Sequence, residues 1–156
     1  LLETSSKPDR HLSIRRYRVE VKVRLDWDGD VRFVGENEQE AKVTLEPGQA
    51  HGGSGKYHTP MELLLVGLGG CAGIDVVLIL QKMRVKLGAF SIEIVGRRRA
   101  EEPRYYEAIR ILYKVSGEGL TEDKARRAAE LATEKYCSVG VMLREKAEIT
   151  FDVVVE

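Results

Sequence analysis

Cys71 and Cys137 are the only cysteines in this chain of 156 residues, and their thiols are its most versatile nucleophiles. A thiolate attacks peroxide oxygen or disulfide sulfur; a nearby cation or a helix N-terminus favours it and apolar burial opposes it. The two settings differ. Cys71 sits among Gly69, Gly70 and Gly73, and a glycine inside a helix costs about 1 kcal/mol relative to alanine. Three beside one thiol call for a close approach by another backbone or by a substrate. Cys137 follows Lys135 at a helix junction. Taken alone, either residue fits an inert core cysteine. If both face one pocket, oxidation of one to a sulfenic acid can be resolved by the other as a disulfide. His11, His51 and His58 have no zinc-like spacing to either thiol.

The element that must position Cys71 is the stretch Tyr57 to Arg84. Thr59 predicts an N-cap, Pro60 suits the first helical position, and Glu62 completes a capping box. From Met61 to Leu80 only Glu62 and Asp75 are charged, so the helix is apolar on every face and must be buried. Its length of about 20 apolar residues would span a bilayer. Asp75 near the middle, with amphipathic strands on both sides, favours a central helix buried in a protein core instead. Glu62 and Cys71 are separated by roughly 13 Å of helical rise and face opposite sides. A carboxylate assisting Cys71 must therefore come from a second subunit, and Gly67, Gly69, Gly70 and Gly73 would let that neighbour approach closely. The expectation is a homodimer built on this helix.

Around the helix the pattern changes to period two. Residues 1–16 carry no periodicity and read as a flexible tail, leaving residues 17–156 as a single domain. Tyr17 to Leu25 alternates as a half-buried strand, Asp28-Gly29 marks a tight turn, and Val31, Phe33 and Ala41 to Leu45 supply two more short strands. The glycine-rich stretch from Glu46 to His58 is a loop, and Pro60 behind it offers no N–H to a phosphate. Ala89 to Arg97 and Tyr105 to Val115 alternate as strands, with Arg97 to Arg99 as a solvated strand end. Thr121 starts an amphipathic helix running to Tyr136, Cys137 to Leu143 adds a short helical turn, and Ala147 to Val155 closes as a strand. The order βββ-α-ββ-α-β defines an α+β fold.

Lysine plus arginine number 25 and aspartate plus glutamate also 25, so no net field draws nucleic acid or acidic lipid. The polar start, LLETSSKPDRHLS, has no secretory pattern, which sets a cytoplasmic expectation. In a reducing compartment a cysteine pair is reactive or merely buried rather than a standing disulfide.

The stretch PMELLLVGLGGCAGIDVV, together with the YCSV of Tyr136 to Val139, resembles the OsmC/Ohr family, and Trp27-Asp28-Gly29-Asp30 is similar to that family's N-terminal strand turn. The resemblance implies an intertwined homodimer with two active sites at the interface, acting as a thiol-dependent peroxidase on organic hydroperoxides. It implies Cys71 as the peroxidatic nucleophile and Cys137 as the resolving cysteine, joined in an intramolecular disulfide that a dithiol such as a dihydrolipoyl group reduces. It implies no metal or flavin cofactor. The family's carboxylate directly follows the helix-opening proline, where this chain has Met61, so Glu62 is the candidate. For the arginine that stabilises the thiolate, Arg32 and Arg24 are the candidates by nearness in sequence. The alternative is a non-catalytic dimer of the same fold that binds an apolar ligand or senses redox state through the pair.

Overall fold

The structure is a computed structural model that describes residues 20–156. The expected tail, and the Tyr17 and Val19 end of the first expected strand, lie outside the described residues. Strands β1 (Val23–Trp27), β2 (Phe33–Asn37) and β3 (Lys42–Leu45) form an antiparallel meander. The β1–β2 turn uses Gly29 at φ 83 and Asp30 at φ 47, left-handed positions that glycine and aspartate tolerate best. Register puts Leu25 opposite Gly35 and Gly35 opposite Val43, with Trp27 opposite Phe33, so one face is apolar. That face is open: Trp27 is 67% exposed, and Val23, Leu25, Phe33 and Val43 are exposed too. The strand expected to be half-buried is therefore shorter and uncovered within one chain, because neither the helices nor the second sheet closes over it.

The loop after β3 is organised by Glu46. Its buried carboxylate accepts from the Ser54 hydroxyl at 2.8 Å and from the backbone N–H groups of Lys56 and Tyr57 at 3.1 and 3.4 Å. The turn is tight at Gly53, where a Cβ would overlap the Pro47 carbonyl. The Ser54 N–H, then the Ser54 hydroxyl and the Tyr57 and Gly55 N–H groups, outweigh burial and hold the carboxyl down at about 2, against an ordinary value of 4.5. A depressed folded value means that Glu46 contributes stability above the unfolded pKa and loses it as pH falls from 4.5 towards 2. Melting curves across that window should show the wild-type chain losing more stability than Glu46→Gln; parallel losses would remove Glu46 from the acid response.

Helix α1 (Pro60–Lys82) starts as the capping signals require. The Thr59 hydroxyl accepts from the Glu62 N–H at 3.2 Å, and the Glu62 carboxylate accepts from the Thr59 N–H at 2.7 Å. Beyond it come β4 (Lys86–Arg98), β5 (Tyr106–Glu118), α2 (Glu122–Glu130), a π-helical turn over Leu131–Tyr136, α3 (Ser138–Arg144) and β6 (Glu148–Val155). β4 and β5 pair antiparallel, while β5 and β6 pair parallel across the helical crossover. α1 lies on β4 and against α2, the π-helical turn and α3. Leu68, Ala72, Val76 and Leu80 recur every fourth residue, so one stripe of α1 joins Ile109, Ile111, Tyr113 and Val115 of β5 in the core.

Three expectations need correcting. α1 is not buried on every face: Val66 is 54% and Ile74 64% exposed, with Leu64 and Leu78 also open. Among the described residues it is the one helix long and apolar enough to cross a membrane, and its open side is as apolar as its buried one. The helix from Thr121 does not run regularly to Tyr136, because it widens into the π-helical turn and restarts as α3. In β5 the buried alternation begins at Tyr106 rather than Tyr105, since a register shift between Arg97 and Arg98 adds a residue.

Candidate thiol site

The π-helical turn brings the two cysteines together. Its wider coil sends the Cys137 N–H to the Ala132 carbonyl at 3.0 Å, a step of five residues, and turns the Cys137 side chain towards α1. There Sγ stands 3.9 Å from the Leu68 carbonyl, near enough to Cys71 for that thiol to affect its titration. Cys137 also caps α3, its sulfur accepting from the Gly140 N–H at 3.2 Å. Gly140 leaves room for this: a Cβ there would lie 3.4 Å from Cys137 Sγ and 3.5 Å from Arg144 Nη1.

The two thiols are unequal. Cys137 is 1% exposed, whereas Cys71 is partly exposed. Burial, reinforced by the Cys71 thiol, pushes the Cys137 thiol up to about 11 despite the opposing N–H groups of Gly140 and Val139. An electrophile from solvent therefore meets Cys71 first, with Cys137 held behind it as a thiol. Beneath them the Tyr113 and Thr133 hydroxyls bond at 2.8 Å, and Arg144 Nη2 donates to the Thr133 carbonyl at 2.6 Å. Burial raises the Tyr113 phenol, which also feels the charge-bearing groups Cys137, Arg144 and Asp75.

Of the residues expected at the site, the chain brings Cys71 and Cys137 together and leaves Glu62, Arg32 and Arg24 elsewhere. Glu62 is committed to the capping box and lies 4.0 Å from His58 Nδ1. Arg32 bonds Asp28 through Nε at 2.9 Å and lies over the Tyr57 ring at 5.8 Å. Arg24 pairs with Asp26 at 2.9 Å. A positive side chain that comes near Cys137 across Gly140 is Arg144, which sequence patterns do not single out.

A cavity of about 490 Å³ opens on the uncovered side of α1, lined mainly by Leu65, Val66, Gly69, Gly70, Ile92 and Ile94, with His58 and Glu62 at its polar end. A second apolar hollow of about 370 Å³ continues from Gly69 and Gly70 past Ile74 and Leu78 to Phe90. The glycines divide by role. A Cβ on Gly69 or Gly73 would meet Ile94 Cδ1 at 2.9 Å or Ile92 Cδ1 at 2.7 Å, so these two let α1 settle on β4. Gly67 and Gly70 have nothing within 4 Å and face the open side.

An α+β fold with a thiol pair between its long helix and a π-helical turn defines a narrow structural class, and comparison with known proteins agrees. The OsmC-like protein family model matches residues 53–152, and the chain belongs to that family. It is similar to protein YhfA of Escherichia coli K12, at 36% identity over 131 residues covering 83% of this chain and 94% of that protein. A hypothetical protein of Aquifex aeolicus VF5 is 32% identical with TM-score 0.74, covering 88% of this chain and 98% of its own. The fold is also that of the organic hydroperoxide resistance protein OhrB of Bacillus subtilis, at 15% identity and TM-score 0.62, over 87% of this chain and 98% of that one.

Proposed function

We propose that the protein is a thiol peroxidase that reduces organic hydroperoxides through Cys71, with Cys137 resolving. What carries the reading is a partly exposed Cys71 close enough to a buried, protonated Cys137 to shift its titration. The Cys71 thiolate attacks the hydroperoxide, forming S–O and breaking O–O, and the alkoxide leaves as the alcohol after taking a proton. Cys137, losing its proton, then attacks the Cys71 sulfur, forming S–S and breaking S–O, and the departing hydroxide takes up that proton as water. A dithiol such as a dihydrolipoyl group reopens the disulfide by exchange and becomes oxidised itself. The preference for an alkyl or aryl hydroperoxide over hydrogen peroxide is part of this reading and draws on the family rather than on the hollows beside α1, whose linings include neither cysteine. Family membership and neighbours named for organic hydroperoxide resistance support the same reading. A reducing cytoplasm would keep the pair cycling.

The functional unit in this reading is a homodimer. The open side of α1 and the apolar face of the β1–β3 sheet are the surfaces a second copy would cover, and Gly67 and Gly70 allow it close. Glu62 and Arg32 would reach a thiol pair from that second copy. With dihydrolipoamide as reductant, the purified protein should consume cumene hydroperoxide faster than hydrogen peroxide, and should sediment at micromolar concentration as two chains. Equal rates on both peroxides would remove the substrate assignment, and a single-chain mass would end the dimer. The other reading, an apolar-ligand binder or redox sensor, draws on the same hollows and predicts closure of the disulfide without turnover.

A further inference from the structure

We propose that Arg144 is the positioning residue for Cys137: its guanidinium locks the π-helical turn and supplies the positive charge beside the Cys137 thiolate as that thiolate closes on Cys71. Two geometric facts meet at this side chain. Nη2 donates to the Thr133 carbonyl at 2.6 Å, inside the turn that delivers Cys137. Nη1 and Cys137 Sγ lie 3.5 and 3.4 Å from one point above Gly140, so the nitrogen and the sulfur are separated by less than the sum of those distances. A carbonyl partner orients the guanidinium without neutralising it, leaving the charge available to the sulfur.

The surroundings explain why such a charge is needed. Cys137 feels the Cys71 thiol from α1 and acts on the Tyr113 phenol of β5, which Arg144 of α3 and Asp75 of α1 also reach. Lys135 points elsewhere, over the Tyr136 ring at 5.5 Å. Among the described residues Arg144 is the cation that bears on the Tyr113 phenol beside this thiol, and without a cation a buried thiol would ionise with nothing opposite. Tyr113 secures the arrangement from below through Thr133. The inference deepens the peroxidase reading, from which it takes the order of attack, Cys71 before Cys137.

The test replaces peroxide with oxidised glutathione, so that it stands even if hydroperoxides are not substrates. The Cys71 thiolate attacks glutathione disulfide and releases one glutathione thiolate, and the Cys137 thiolate then displaces the second to close the internal disulfide. Acid quenching and intact-mass measurement follow the mixed disulfide and the closed form in the full-length protein. In wild type the mixed disulfide should not accumulate. Arg144→Gln should let it accumulate at pH 7 and slow closure about threefold or more, since a rise of one unit in the Cys137 pKa cuts the thiolate tenfold while partly raising its nucleophilicity, with the rate recovering as pH is raised. Arg144→Lys should restore most of the rate. Closure by Arg144→Gln at the wild-type rate and with the wild-type pH profile overturns the proposal. So does equal, pH-independent slowing in both variants, which marks a merely structural residue. Failure of the peroxidase reading would instead show as no reaction of wild type with cumene hydroperoxide while the glutathione course stays intact.

Discussion

Cys71→Ser should reduce hydroperoxide turnover to the background rate, a loss of every catalysed cycle rather than a fractional effect. The serine hydroxyl keeps the size of the side chain but supplies no thiolate, so no S–O bond can form and Cys137 has nothing to resolve. Cys137→Ser should behave differently, consuming one equivalent of peroxide at Cys71 and then stalling for want of the internal partner. The helix should be intact in Cys71→Ser, because Cys71 lies beside the core stripe rather than in it, while Cys137 is a core residue and its variant needs circular dichroism to confirm folding. Stopped-flow peroxide consumption with dihydrolipoamide separates the two, and full turnover by Cys71→Ser would remove the nucleophile from this account.

Leu68→Ala should be the most damaging core substitution near the site, costing about 2–5 kcal/mol of folding stability as a buried leucine truncation does. Leu68 is 1% exposed in the α1 stripe that meets β5, and its own carbonyl stands opposite Cys137 Sγ. The cavity would loosen the same stretch of helix that holds Cys71 one turn further on. Urea unfolding should report the stability loss, and disulfide closure should slow in the surviving folded protein. A loss below about 1 kcal/mol would mean that this end of α1 is held from elsewhere, contrary to the packing described.

The elements that local rules govern were legible beforehand. Thr59, Pro60 and Glu62 form the capping box and helix start that their spacing implies, and the alternating stretches became β4, β5 and β6 within a few residues. What stayed hidden depends on contacts distant in sequence. Leu131 to Tyr136 contains neither glycine nor proline to announce a π-helical turn; the extra residue is accommodated where the segment docks on α1. Arg144 stands seven residues beyond Cys137, and only that turn and α3 fold it back towards the sulfur, whereas the family pattern directs attention to the hairpin around Trp27 and so to Arg32 and Arg24. Glu46 gives no periodic signal at all, because its role is to gather N–H groups from a loop.

The all-round apolar character of α1 teaches something similar. It predicts burial of every face, yet composition does not say which chain does the burying. Within one chain only the Leu68 to Leu80 stripe is covered, and the Val66 and Ile74 side is left open beside the glycines that face it. The same holds for the β1–β3 sheet, whose Leu25, Trp27 and Phe33 face reads from sequence as half-buried. Both surfaces fit the homodimer proposed above.

The central claim is that Cys71 and Cys137 form one redox pair driven by hydroperoxide. The most direct measurement is peptide mass spectrometry of the reduced protein after one equivalent of cumene hydroperoxide, with free thiols blocked at the quench. The account predicts loss of both thiols and a peptide pair linked Cys71 to Cys137 within one chain. Two freely alkylated cysteines, or Cys71 oxidised to sulfinic acid beside an untouched Cys137, would contradict it.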